Sequence, residues 1–202
     1  MTSVRFNFDG AERYKSAVLA SMEAGVQAAS LELSGQMQRG FSRGARHTSS
    51  APGTPPNVQT GRLRNSIAVQ KSGPLIRRVG TNLPYGRIQE FGGTITAKGK
   101  YLLVPIGVQG KNALRDSGGN IRSLNLMLIK RAGRPPLLCQ GSSNLRGKGR
   151  GSVTPLFVLL PRVTLQARPW AMPALNRAKP RMGKAFIQYA KNDLRRRIGG
   201  AA

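Results

Sequence analysis

The side chains that could perform acid–base or metal chemistry are few in this chain. Among 202 residues there are seven acidic residues, one histidine and one cysteine. They are Asp9, Glu12, Glu23, Glu32, Glu90, Asp116, Asp193, His47 and Cys139. A hydrolytic pair of carboxylates must come within about 5–10 Å of each other, and a metal site usually needs three or four clustered ligands. Four of the seven acids fall in the first 35 residues at helical spacing. The inventory therefore argues against an enzyme and predicts no catalytic residue, no metal and no cofactor.

The cysteine and the histidine add no recognisable site. A single cysteine excludes an internal disulfide and fits a reducing compartment. No further histidine is available to activate Cys139 as a nucleophile, so we expect it to be a small buried apolar residue. His47 is isolated in a stretch rich in Gly, Ser and Pro, where we expect no ligand role. The glycines at 147–151 (GKGRG) lack the order of a phosphate-binding loop and precede a predicted strand.

The charge of the chain points to a polyanionic partner. The 33 basic residues outweigh the seven acids and give a formal net charge of +26. The first 35 residues sum to −1 and the remainder to +27. A basic body favours nucleic acid, an acidic protein surface or anionic lipid as the partner, and general solubility is the alternative.

No apolar run approaches the roughly 18–20 residues that cross a bilayer. The first ten residues have no apolar secretory segment, so we expect no membrane partner.

Two glycine-rich basic stretches are candidates for partner contacts. One is a predicted flexible loop over 39–59, and the other, 141–152, ends an extended insertion or arm over 107–152. Their candidate contact residues are Arg39, Arg43, Arg46, Arg146, Lys148 and Arg150. Flexible basic loops favour sequence-independent phosphate contacts, and the scarcity of aromatic residues argues against stacking on single strands. Contact with DNA, contact with an acidic protein and simple solvation are the alternatives.

The hydrophobic pattern predicts a helix near each end of the chain. Apolar residues recur every three or four positions from Tyr14 to Met37, which predicts a helix over about 10–38. This helix packs either on its own domain or on a neighbouring subunit. The second helix is predicted to start at Pro180, a favourable first helical residue. We expect Pro173 and Pro180 to interrupt the segment before it.

The middle of the chain has the pattern of short strands and turns. Strands are predicted at 66–70, 75–80, 94–97, 101–106, 121–130, 156–160 and 163–166. The first two are predicted to form one hairpin, and the third and fourth another. The last two read as one strand bent at Pro161. A two-turn helix over 85–91 is predicted with Tyr85, Ile88 and Phe91 facing inward.

This order of elements indicates an α+β fold in a single domain over 1–202. We expect an antiparallel sheet of four to six strands, packed by the long N-terminal helix and the C-terminal helix. Long basic loops complete the predicted architecture.

Three short segments resemble, in order, elements of tailed-phage neck proteins. The first, TGRLRNSI, contains Thr60, Gly61, Leu63 and Ser66. The second, YGRIQEFGG, contains Tyr85, Ile88, Glu90, Phe91, Gly92 and Gly93. The third runs from a strand into Arg168, Pro169 and Trp170. The set is similar to tail-completion or head–tail joining proteins, called virion-morphogenesis proteins in Mu-like phages. Gly86 stands where we expect alanine, and Gln89 stands where histidine is common.

The resemblance implies a structural virion protein without a catalytic site. It implies a ring that completes the tail and joins it to the head connector while letting DNA pass. The implied partners are further copies of the chain, a head connector or adaptor protein, a tail terminator or tail-tube protein, and the backbone of genomic double-stranded DNA. The implied location is the virion neck, after assembly in the host bacterial cytoplasm, with the motif residues in packing or interface roles. The alternative, based on charge alone, is a sequence-independent nucleic-acid-binding protein of a packaging or ribosome-like kind.

Overall fold

The computed structural model describes residues 9–41, 50–141 and 153–199. Within them the helices are α1 (Asp9–Arg39), α2 (Arg62–Asn65), α3 (Pro84–Phe91), α4 (Gly107–Asp116) and α5 (Ala171–Gly199), with a 3₁₀ turn at Ile121–Leu124. The strands are β1 (Ala68–Gly73), β2 (Ile76–Gly80), β3 (Gly93–Thr96), β4 (Leu102–Pro105), β5 (Met127–Arg131), β6 (Arg134–Gly141), β7 (Val153–Leu160) and β8 (Arg162–Leu165). The α+β class predicted from the sequence is confirmed.

The contacts divide the chain into two compact units. Unit 1 contains the described residues up to Phe91 and from Ala167 onward, and unit 2 contains Gly92–Gln166. The organisation as one domain stays a prediction. Helices α1, α2, α3 and α5 and strands β1 and β2 lie in unit 1, whereas the other elements lie in unit 2.

Helices α1 and α5 pack along each other and form the body of unit 1. The buried cluster at one end of this pair consists of Met37, Phe41, Ile67, Trp170 and Ala174. Further along, Gly25 permits the close approach of the two helices. A Cβ atom at Gly25 would lie 2.8 Å from Cδ2 of Phe186, which is too close for a side chain. The glycine that weakens α1 as an isolated helix thus improves its packing.

The C-terminal helix is longer than predicted. It begins at Ala171 and continues through Pro180, so the expected interruption before residue 180 is wrong. Pro173 lies in the first turn, where the missing N–H has no intrahelical acceptor in any case. Pro180 lies in the helix interior, where the lost hydrogen bond and the clash of the ring with the preceding turn together cost about 3 kcal/mol. Ala174 and Ala178 are fully buried in the turns before it, and their packing stabilises the helix across this position.

The predicted hairpin is confirmed as β1 and β2, and a buried arginine ties it to α1. The Arg77 side chain is 6% exposed. It donates to Oε1 of Glu23 at 2.8 Å, to Oε1 of Gln27 at 2.9 Å and to the carbonyl oxygen of Gly73 at 2.9 Å. Lys71 also pairs with Glu23. Hydrogen bonds from Lys71 and then Arg77 hold the pKa of the Glu23 carboxyl below its ordinary value.

The strands of unit 2 pair differently from the prediction. β3 pairs with β8, whereas β4 pairs with β7 in a four-stranded antiparallel sheet of order β4-β7-β6-β5. The predicted hairpin between β3 and β4 is therefore wrong. Ala97 follows β3, and its N–H donates at 2.9 Å to the carbonyl oxygen of Pro161, which lies between β7 and β8. The long-range pairing places β4 beside β7, whose Leu156 and Phe157 are buried, so each strand gains apolar cross-strand neighbours.

Much of the predicted arm over 107–152 has regular structure. Its described part, up to residue 141, contains α4, the 3₁₀ turn, β5 and β6, and β6 pairs with both β5 and β7. Cys139 in β6 is 1% exposed, and this burial raises the pKa of its thiol. It is the small core residue expected from the sequence. The remainder of the arm, 142–152, lies outside the described residues.

Candidate functional site

A buried carboxylate joins the second motif segment to the third. Glu90 lies in the last turn of α3 and is 6% exposed. Its Oε2 accepts hydrogen bonds from the backbone N–H groups of Trp170 at 2.7 Å and Ala171 at 2.8 Å. Its Oε1 accepts from the N–H of Met172 at 3.0 Å. These N–H groups start α5, have no acceptor within the helix and form the positive end of its dipole. Glu90 therefore caps a helix that begins 81 positions later in the chain.

Trp170 completes the junction between α3 and α5. Its side chain is 4% exposed, and its Nε1–H donates to the carbonyl oxygen of Gly86 at 3.1 Å. The indole stacks on Phe41, with ring centroids 5.7 Å apart and planes inclined by 27°. The N–H of Arg168 donates to the carbonyl oxygen of Gln89 at 2.7 Å. Two turns of α3 thus fix the chain immediately before α5.

A hydroxyl pair links the first motif segment to the same junction. Ser66 and Thr81 place their Oγ atoms 2.6 Å apart. Ser66 also donates to the carbonyl oxygen of Leu63 at 2.8 Å, and Thr81 accepts from the N–H of Leu83 at 3.1 Å. The methyl group of Thr81 occupies the space beside Gly86, where a Cβ would lie 2.6 Å from Thr81 Cγ2. The glycine found where alanine was expected is explained by this methyl group.

Replacing Gly86 by alanine should change stability in opposite directions in two backgrounds. With Thr81 present, we expect a loss of about 1–2 kcal/mol, because the new methyl overpacks the site. In a Thr81→Ser background the hydroxyl contacts persist and the clash is gone. There the same change should stabilise by about 0.5 kcal/mol, since alanine is the better helix former. Urea unfolding of the two single variants and the double variant measures this coupling. Equal effects of Gly86→Ala in both backgrounds would contradict the steric explanation.

The orientation predicted for α3 is wrong in part. Tyr85 is 39% exposed and Phe91 is 71% exposed, whereas Gly86 and Glu90 are the buried positions. Ile88 is half-buried. The apolar pattern misled the prediction because the face toward α5 consists of a glycine and a carboxylate. Beyond α3, Gly92 and Gly93 adopt φ values of 71° and 148°, which favour glycine and end the helix as predicted.

The first motif segment forms one wall of a groove in unit 1. Gly61 has a φ of 73° and precedes α2, and Oγ1 of Thr60 accepts from the N–H of Arg62 at 3.3 Å. The groove has a volume of about 150 Å³ and is also lined by Phe41, Tyr85 and Gln89. Leu63 lines it as well and packs against the buried cluster of unit 1. In unit 1 the structure thus brings together the first motif segment, the helical part of the second and the Arg168–Trp170 end of the third. Gly92, Gly93 and the strand of the third segment belong to unit 2.

Of the six basic residues predicted to contact a partner, the structure describes only Arg39. Its side chain is 62% exposed and lies 3.5 Å from Oε1 of Glu32. The other five, Arg43, Arg46, Arg146, Lys148 and Arg150, lie outside the described residues, as does His47. Contact of these residues with DNA or an acidic partner stays a prediction.

The acidic side chains have structural partners. Those described are paired as Glu12–Lys15, Glu23–Lys71, Glu32–Arg39, Asp116–Arg115 and Asp193–Arg197, besides Glu90 on the start of α5. The hydrogen bond from Arg197 holds the pKa of Asp193 below its ordinary value. Ser21 donates to the same carboxylate and links α1 to α5.

Over the described ranges, no group of His, Cys, Asp and Glu could hold a metal ion. No helix within those ranges is long and apolar enough to cross a membrane.

Sequence reasoning missed three residues that hold these contacts. Phe41 and Thr81 support Trp170 and Gly86, and Arg77 joins the hairpin to α1. None had a sequence signal, because each makes its decisive contact with a residue distant in the chain. A row of basic residues on α5 was also overlooked, although its helical spacing is readable from the sequence alone.

Comparison with models of known protein families finds a match to the N-terminal part of the chain. Residues 9–92 match a family model described as "HK97-gp10_like: Bacteriophage HK97-gp10, putative tail-component". The matched part contains α1, the β1–β2 hairpin, the whole of α3 and the first motif segment. No curated protein and no solved structure matches the chain. The family match confirms the predicted resemblance: over residues 9–92 the chain is similar to tailed-phage tail components, which indicates a structural protein of the virion.

Proposed function

We propose that the chain is a structural protein of the phage neck. It forms a ring that completes the tail and joins it to the head connector, and genomic DNA passes through this ring. The observation that carries the proposal is the family match over residues 9–92. The third motif segment supports it from outside that match, because Trp170 and the start of α5 are fixed by Gly86 and Glu90 inside it.

An apolar surface on unit 1 supports contact between copies of the chain. A shallow groove between α1, the hairpin and α5 is lined by Val26, Ala29, Leu75, Ile76, Phe186 and Ile187, with a volume of about 690 Å³. Ile76 is 60% exposed and Ile187 is 64% exposed. Contiguous exposed apolar surface of this kind marks protein–protein contacts. A second copy of the chain is the occupant that ring formation requires.

The acidic residues favour a structural role over catalysis. Six of the seven are engaged in ion pairs or in the cap of α5. A general acid or base must reach its substrate. The Glu90 carboxylate is instead buried against backbone N–H groups, and Glu23 and Asp193 are hydrogen-bonded to basic side chains. The proposal accordingly includes no catalytic step.

The proposal is tested by assembly of the purified chain and its position in particles. Mass photometry should show closed oligomers, and electron microscopy of virions should place them at the head–tail junction. Ile76→Asp with Ile187→Asp should raise the concentration needed for assembly at least about tenfold, since each buried anchor contributes more than 1 kcal/mol.

The matched control is Val108→Asp with Leu128→Asp, which alters two exposed apolar residues of unit 2. We expect this variant to assemble like the parent chain. A chain that stays monomeric at all concentrations and occupies no ring in virions would reject the proposal.

A further inference from the structure

Helix α5 carries a row of basic side chains along one face. The helix has eight basic residues and one acidic residue. Five of the basic residues, hereafter the α5 stripe, are Arg177, Arg181, Lys184, Lys191 and Arg195. At 3.6 residues per turn they fall within about 80° of one another around the axis. The stripe extends about 27 Å along the helix, at a rise of 1.5 Å per residue.

The stripe faces solvent and is largely free of intramolecular ion pairs. All five residues are exposed. Within the described part of the chain only Arg181 has an acidic neighbour, Glu32 at 3.9 Å, and its side chain remains 66% exposed. By contrast, Arg196 and Arg197 lie off the stripe and pair with Asp193. The cations that pair with Asp193 and the cations of the stripe thus lie on different faces of the helix.

The Arg177 end of the stripe adjoins another cation. Arg39 and Arg177 line the same small surface depression, together with Gln36 and Gly40. Arg39 was predicted from the sequence to contact DNA or an acidic partner. The structure therefore extends the stripe from α5 onto the end of α1.

The chemistry of the stripe fits a phosphate backbone better than an acidic protein. Double-stranded DNA carries one charge per about 1.7 Å of axis with both strands counted, so a 27 Å length of duplex carries about 16 charges. A straight row of flexible cations matches this regular array. Gln188 is the other exposed residue on this face, and no aromatic side chain interrupts the row, so neither base stacking nor a buried anchor is offered.

We propose that the α5 stripe is the surface of this protein that contacts the backbone of double-stranded DNA, without reading sequence. The inference rests on the proposed function, because a neck ring through which DNA passes must present some face to it. It assigns that contact to α5 and not to the glycine-rich loops alone.

The test compares two charge-matched variants of the full-length chain. The stripe variant carries Lys184→Gln, Lys191→Gln and Arg195→Gln, three stripe residues without an acidic neighbour among the described residues. The control variant carries Lys98→Gln, Arg122→Gln and Lys130→Gln, three exposed cations of unit 2. Fluorescence anisotropy measures binding to two duplexes of unrelated sequence over a range of salt concentrations. Circular dichroism establishes that both variants are folded.

The stripe variant should bind both duplexes at least about tenfold more weakly than the parent chain in low salt. The slope of log K against log salt should fall by about 3, since each lost phosphate contact removes about one counterion. The control variant should keep the parent slope. Equal losses in the two variants, or an unchanged slope in the stripe variant, would overturn the inference. So would polyglutamate that competes as well as DNA at equal charge, because the stripe would then fit an acidic protein.

Ring assembly of the same variants separates this inference from the proposed function. None of the three residues replaced in the stripe variant lines the apolar groove, so the stripe variant should assemble like the parent chain. If the rings form and the stripe variant binds DNA normally, the inference fails and the proposed function stands. If no ring forms while the stripe variant loses DNA binding, the proposed function fails and the DNA-binding surface stands.

Discussion

Replacing Glu90 by alanine is expected to lower the free energy of unfolding by about 3 kcal/mol. The carboxylate is buried and accepts three backbone N–H groups at the start of α5. Its removal leaves these donors without partners, at a cost of about 1–3 kcal/mol for a buried unsatisfied group. It also removes a negative charge from the positive end of the helix dipole. Urea unfolding followed by circular dichroism measures the loss.

Glu90→Gln separates the shape of the side chain from its chemistry. The amide oxygen can still accept from Trp170 and Ala171, but the amide NH₂ then faces the N–H of Met172, donor against donor. We expect a loss of about 1–2 kcal/mol, smaller than that of the alanine variant.

Glu12→Ala is the matched control for the loss of a carboxylate. The side chain of Glu12 is 77% exposed and lies 3.7 Å from Lys15, so its removal should change stability by less than about 0.5 kcal/mol. If Glu90→Ala is as stable as this control, the carboxylate does not hold α5.

The capping role of Glu90 illustrates what the sequence could and could not predict. The resemblance identified the position, and the helix around it was predicted from a two-turn pattern between Pro84 and the glycines. Its burial was not predicted, because an acidic residue in a basic chain is expected at the surface. Only the tertiary position of the α5 start, far along the chain, makes burial of the carboxylate favourable.

Helix α1, helix α3, the part of α5 from Pro180 onward and the first hairpin were predictable because their signals are local, whereas α2 and α4 were not predicted. The 3.6-residue period of α1 lies within one helix, and the hairpin signal at Lys71 to Pro74 lies between two adjacent strands. Strand partners in unit 2 were not predictable in this way. A hairpin between β3 and β4 is the shortest connection, yet both strands pair with partners beyond residue 152. Sequence distance gives no information on which partner buries more apolar surface.

The basic residues show a different kind of omission. From the high net charge, partner contacts were predicted in the two glycine-rich loops, which contain Arg43 and Arg146. The spacing of Arg177, Arg181 and Lys184 at intervals of four and three was equally visible. Net charge indicates the kind of partner, but a binding surface is identified only when the basic residues are shown to share a face. The helical period determines which residues share a face, whereas a loop sequence does not.

Replacing Trp170 by alanine is expected to be the most destabilising single change, at about 3–5 kcal/mol. The indole is 4% exposed, stacks on Phe41 and donates to the carbonyl oxygen of Gly86. Its loss leaves a cavity beside Met37 and Ala174 in the buried cluster. Trp170→Phe keeps an aromatic ring against Phe41 but removes the donor, so we expect a smaller loss of about 1–2 kcal/mol. Urea unfolding by circular dichroism measures both losses.

The control for the aromatic change is Phe91→Ala, which removes a ring that is 71% exposed at the end of α3. It should cost less than about 0.5 kcal/mol. A Trp170→Ala loss no larger than this would contradict a core role for the indole.

The decisive comparison combines Trp170→Ala with Glu90→Ala. Both residues act on the same few positions, since Glu90 caps the start of α5 and Trp170 anchors it to α3. Once either contact is lost, the first turn of α5 is already released from α3. The second substitution then removes less, so the double variant should be at least about 1 kcal/mol more stable than the sum of the single losses predicts. Additive losses would show that the two residues stabilise separate parts of unit 1.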